Sequence, residues 1–137
     1  MTRRTWLLPA AALFAACRKP AALPANIFPE KAAGGWRRTD RHLLSVSEAP
    51  DPVPRNEIET LLVASYEGPG KLDARLYVLA SDVVGLELSQ RWKPSADTVF
   101  FSRGPYFVVV KWQSAERTAL QTFVRDLENS LAAATPR

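Results

Sequence analysis

Two periods of apolar residue alternate along this chain, and the change from one to the other marks its elements. The firmest run of period two is Pro105–Trp112, PYFVVVKW. Tyr106, Val108, Val110 and Trp112 fall on one side of an extended backbone, and Phe107, Val109 and Lys111 on the other. Both sides are mostly apolar, which predicts a central strand covered on each face. Pro105 can open such a strand but not sit inside it. The same reasoning predicts strands at Leu62–Glu67, Leu72–Leu79 and Thr98–Ser102, and a short first strand at Leu43–Val46. Leu72, Ala74, Leu76 and Val78 make one side of LDARLYVL apolar, while Asp73, Arg75, Tyr77 and Leu79 make the other begin polar and end apolar. Glu67-Gly68-Pro69-Gly70-Lys71 is a turn, with Pro69 fixing φ and Gly70 supplying a positive one.

The helical period appears twice. Ser81 is placed to cap a helix in which Val84, Leu88 and Trp92 lie a turn apart, facing the sheet, and Lys93-Pro94 ends it. Gly85 inside that helix costs about 1 kcal/mol relative to alanine, which predicts a close helix–strand approach. Ser114 is expected to cap the last helix, Ala115–Ala133. Its stripe is Leu120, Phe123, Val124, Leu127 and Leu131, opposite Arg117, Gln121, Arg125 and Glu128. Pro54 and the acids Glu57 and Glu59 suit a short helix over Arg55–Leu61. The expected fold class is therefore α+β: an antiparallel sheet of four to five strands with two main helices packed on it, in the order β-β-α-β-β-α.

The N-terminus has a different pattern. Arg3 and Arg4 precede the apolar run Trp6–Ala16, which is too short to span a bilayer but fits the apolar core of an export signal. Phe14-Ala15-Ala16-Cys17 resembles the lipobox of bacterial lipoprotein signals, with Phe14 where Leu, Val or Ile is usual. That resemblance implies cleavage before Cys17 and acylation of Cys17, the single cysteine of the chain. The alternative is an ordinary secretory signal cut near Ala16. Thr2–Leu8 also resembles a twin-arginine signal, so Sec and twin-arginine export both remain open. Residues 1–16 are thus read as a signal peptide and 17–35, rich in proline and alanine, as a flexible tether. Residues 36–133 are read as one α+β domain, and 134–137 as a disordered tail.

Composition narrows the function classes. Of the 18 basic residues, Arg3 and Arg4 fall in the leader, so from Cys17 onward 16 basic residues face 14 acidic ones. A net charge of +2 is too small for a nucleic-acid binder, whose footprint is a basic stripe. One cysteine and one histidine exclude a Cys/His zinc site, and no metal ligand set or cofactor motif is readable. The most basic patch, Trp36-Arg37-Arg38-Thr39-Asp40-Arg41-His42, suits either contact with anionic envelope components or a packed Trp36 with solvated arginines. Scattered carboxylates (Asp73, Asp82, Glu87, Asp97) are the material for a hydrolase, but no Ser-His-Asp order or G-x-S-x-G elbow accompanies them. No catalytic residue is assigned. Phe100, Phe101, Phe107 and Val109 offer more apolar surface than two helices cover, which would suit a homodimer.

Tyr66-Glu67-Gly68-Pro69, Gln90-Arg91-Trp92 and Tyr106-Phe107-Val108-Val109-Val110 resemble segments of a group of small secreted acidobacterial proteins with no assigned activity. The resemblance implies an exported α+β domain and no catalytic residue. The expectation is a non-catalytic cell-envelope lipoprotein, held to membrane lipid through acylated Cys17. It would face the periplasm or sit at the outer membrane, with an envelope protein or cell-wall component as partner and no nucleic acid. A small secreted enzyme and a homo-oligomeric assembly subunit are the alternatives.

Overall fold

The computed structural model describes residues 23–49, 53–93 and 95–134, so the leader and Cys17 lie outside the described residues. The chain runs β1 (Lys31–Ala32), β2 (Trp36–Leu44), β3 (Ile58–Glu67), β4 (Gly70–Leu79), α1 (Asp82–Arg91), β5 (Thr98–Arg103), β6 (Tyr106–Ala115) and α2 (Arg117–Ala134). The six strands form one antiparallel sheet in the order β1-β2-β3-β4-β6-β5. The fold is α+β as expected, with more strands than the four or five read from the sequence.

Of the stretch Pro105–Trp112, all but Pro105, which precedes the strand, falls in β6, which is hydrogen-bonded on both edges, to β4 and to β5. Its two sets of side chains enter two separate cores. Tyr106, Val108 and Val110 join Leu62, Ala64, Tyr66, Ala74, Leu76 and Val78 beneath α2, whose Ala119, Phe123, Leu127 and Leu131 are buried. Phe107 and Val109 join Leu61, Tyr77 and Leu79 on the other face, beneath Leu88 of α1 and the segment carrying Ala49 and Val53. Each buried aliphatic or aromatic side chain of this size contributes roughly 1.5–3 kcal/mol, so a strand loaded on both sides anchors the whole sheet.

Four expectations need correcting. Leu23–Gly35 is not a free spacer: Ile27 and Phe28 are 3% and 1% exposed in the α2 core, and Lys31–Ala32 pairs with Trp36–Arg37. The prolines and glycines there serve turns instead, and Gly34 (φ +99°) lets Trp36 approach α2, where its Nε1 donates to the Ala119 carbonyl at 3.0 Å. Of the strand expected at Leu43–Val46, Leu43 and Leu44 end the longer β2, whose arginines tolerate extension because its outer neighbour has only two residues, while Ser45 caps a 3-10 turn over Val46–Glu48. No helix spans Arg55–Leu61: a single 3-10 turn, Arg55–Glu57, gives way to β3 at Ile58. The β-branched Ile58, Thr60 and Val63 favour extended backbone, and the ladder to β4 secures it. Finally, β6 continues through Ala115, so Ser114 cannot cap α2. Glu116 does so, its carboxylate accepting from the Thr118 and Ala119 amides at 2.8 and 3.1 Å.

Candidate functional site

Cross-strand register sets side chains of the second face in rows. Asp40, Ser65, Asp73, Lys111 and Thr98 form one row across β2, β3, β4, β6 and β5. The next is His42, Val63, Arg75, Val109 and Phe100, and the third is Leu44, Leu61, Tyr77, Phe107 and Ser102. The third row is closed by α1. Since α1 has only ten residues, the first two rows extend beyond it. Trp92, just past the end of α1, leans over the boundary with its ring 5.3 Å from Phe107 and 6.1 Å from Phe100.

The result is a trough of about 430 Å³ lined by Asp73, Arg75, Tyr77, Trp92, Ser95, Thr98, Val109 and Lys111. That volume is within the range of small-molecule sites, about 300–1,000 Å³. Its walls are unlike each other. Trp92, Val109 and the Tyr77 ring are apolar; Arg75 and Lys111 are cationic; Ser95 and Thr98 supply hydroxyls on the connection into β5, with their oxygens 3.4 Å apart. Asp73 is the one acid of the lining, and its carboxylate accepts from the Ser65 hydroxyl at 2.6 Å. Among the described residues, neither Arg75 nor Lys111 forms an ion pair.

Tyr77 is the exceptional group. Its residue is 0% exposed, and its hydroxyl has no hydrogen-bond partner among the described residues. Burial pushes this phenol above its ordinary range; the Arg75 guanidinium, close enough to oppose the rise first as a hydrogen-bond donor and then as a charge, does not complete a bond of full hydrogen-bond geometry to it. A buried hydroxyl with no partner costs about 1–3 kcal/mol. Tyr66, on the α2 face, provides a contrast: it is equally buried, but its hydroxyl donates to the Pro29 carbonyl at 2.6 Å.

The sequence candidates are distributed differently. Of Asp73, Asp82, Glu87 and Asp97, Asp73 alone lines the trough; Asp82 and Glu87 are exposed on α1, and Asp97 lies in the loop before β5. His42 is half exposed on β2, with Nδ1 2.6 Å from the Asp40 carboxylate. Trp36 packs at 1% exposure, Arg37 and Arg41 are exposed, and Arg38 donates to the Phe28 carbonyl at 2.7 Å. Phe107 and Val109 are buried within the chain itself, so less apolar surface is left over for a second copy than their number suggested. Among the described residues no three metal-ligating side chains stand together, and no helix is long and apolar enough to cross a membrane. Arg75, Tyr77, Ser95 and Thr98 were missed as site residues. The signal for the first two was present, in a strand whose second face changes from polar to apolar along its length.

Compared with known proteins, the chain matches no family, no curated protein and no solved structure.

Proposed function

We propose that this chain is an exported, lipid-anchored binding domain of the cell envelope, with its ligand seat in the trough on the second face of the sheet. The observation that carries the seat is the unpartnered Tyr77 hydroxyl. A fold that leaves a buried polar atom unsatisfied loses stability, whereas a phenylalanine would fill the same volume without that cost. Keeping the hydroxyl sealed just beneath a cavity lined by two cations that form no ion pair is the pattern of a site completed by its ligand. The lining offers charge and donors but no nucleophile–base pair, so binding rather than turnover is the reading.

Export rests on the leader: a basic start, an apolar run and Cys17 at the position where a lipoprotein signal requires it. Intact mass spectrometry of the protein from its own host's membrane fraction tests this part. The expected mass is that of Cys17–Arg137 plus a diacylglyceryl group, with or without a third acyl chain. Retention of Met1 would contradict it. Turnover of a substrate by the purified chain, abolished by changing one polar residue of the trough, would contradict the non-catalytic part.

A further inference from the structure

The trough's chemistry is more selective than its shape. Asp73 and Lys111 are directly opposite each other in the β4–β6 register, so the acid offsets part of the lysine's charge although the two form no ion pair. Asp73 is further engaged by Ser65. The charge left uncompensated is that of Arg75, half-buried beside the unpartnered Tyr77 hydroxyl. A guanidinium offers donors only, arranged as a planar fork that matches a carboxylate. Ser95 and Thr98 can each add a hydroxyl donor to the same acceptor-rich partner.

The other wall excludes a bare inorganic anion as the best fit. Trp92, Val109 and the Tyr77 ring are apolar, and the strand amides beside them are committed to the ladder. Phosphate sites are built instead from free backbone amides and clustered cations. An occupant that satisfies both walls carries a carboxylate at one end and a flat or branched apolar body at the other.

From this we infer that the trough binds a small monocarboxylate with an aromatic or branched apolar body: its carboxylate is held by the Arg75 fork, and its body lies against Trp92 and Val109. This rests on the trough being a ligand seat. Lys111, opposite Asp73, is expected to steer rather than hold the anion.

The test is a titration of the full chain followed by NMR, observing the Trp92 indole N–H, assigned by Trp92→Phe. The probes are benzoate, its neutral counterpart benzamide, the cation benzylamine, and inorganic phosphate. Benzoate should produce a saturable shift at Trp92, with benzamide about tenfold or more weaker, the usual consequence of losing a charge-assisted pair. Arg75→Gln should reduce benzoate to the level of benzamide. Arg75→Lys, which keeps the charge and is the safer variant for folding, should also weaken benzoate, because the fork is lost. Equal binding of benzamide, or tighter binding of benzylamine, would overturn the carboxylate inference and leave the seat standing. Phosphate displacing benzoate at equal concentration would overturn the role given to the apolar wall. No saturable shift at Trp92 with any of the four would overturn the inference together with the seat on which it rests.

Discussion

Three single residues test whether the packing has been understood atom by atom. Gly85 was expected to mark a close approach of helix and strand. A Cβ built there meets the Gly104 carbonyl, a Leu79 methyl and the Ser102 Cβ, each at 3.5 Å, which is ordinary contact. Gly85→Ala should therefore stabilise the protein by about 0.5–1 kcal/mol through helix propensity and a less flexible unfolded chain, read as a rise in the denaturation midpoint. Tyr66 carries a different signature. Burial pushes its phenol from 10.0 up to about 12, against the opposing charges of Arg38 and Arg41. A group whose folded pKa is raised stabilises the fold fully below its unfolded pKa, so this contribution is present below pH 10.0 and lost as pH rises to about 12. Tyr66→Phe should cost about 1 kcal/mol at neutral pH through the lost bond to Pro29, and should flatten the alkaline fall in stability between those limits. Glu116 has the opposite sign. The Thr118 and Ala119 amides hold its carboxyl below 4.5, so its contribution is present above that value and lost as pH falls through the folded pKa.

Among the elements, the segment before β2 has the most to reveal. Phe28 holds φ +54°, a left-handed conformation that a bulky residue adopts only under compulsion, with its ring in the α2 core and its carbonyl accepting from Arg38. Trp36 and Tyr66 both pack edge-on to Phe123, at 6.2 and 5.1 Å, so the segment and α2 share one aromatic cluster. Phe28→Ala should destabilise by about 3–5 kcal/mol and lower hydrogen-exchange protection along α2. A silent substitution would return the segment to the status of a spacer. The sequence does not reveal this packing because Ile27-Phe28 is a lone apolar pair between prolines, too short for either period to register. WRRTDRHLL conceals β2 for a related reason: a strand beside a two-residue edge needs little apolar patterning, and its place is settled by pairing with β3. Where both faces of a strand are loaded, as in β6, or a helical stripe is long, as in α2, the sequence alone was sufficient. At the site, Asp73 and Lys111 stand on the strands expected of them, whereas Trp92, expected on the helix, lies just past the end of α1 in extended backbone. Their meeting with Arg75, Tyr77 and Thr98 depends on the β4–β6–β5 register, which steps between Lys71 and Leu72, and no local pattern encodes that step.

In the whole molecule, the two faces of the sheet are covered unequally. The 18-residue α2 and the segment before β2 close one face with a continuous aromatic and aliphatic core. On the other, the ten-residue α1, with Ala49 and Val53, closes one end and leaves the trough at the other. Phe107 joins the two regions, 0% exposed beneath Trp92 and 6.0 Å from the rings of both Tyr77 and Phe100. A domain of this size needs its closed face to fold, and the open part of the other carries the proposed seat. The most direct test of that division is the thermal stability of Tyr77→Phe beside the unaltered chain. If the hydroxyl is retained for a ligand, the variant should melt at the same temperature or higher, gaining about 1 kcal/mol or more by removing an unsatisfied buried group. A variant that melts several degrees lower would show that the hydroxyl holds the fold together, and the trough would then lose the observation that marks it as a binding site.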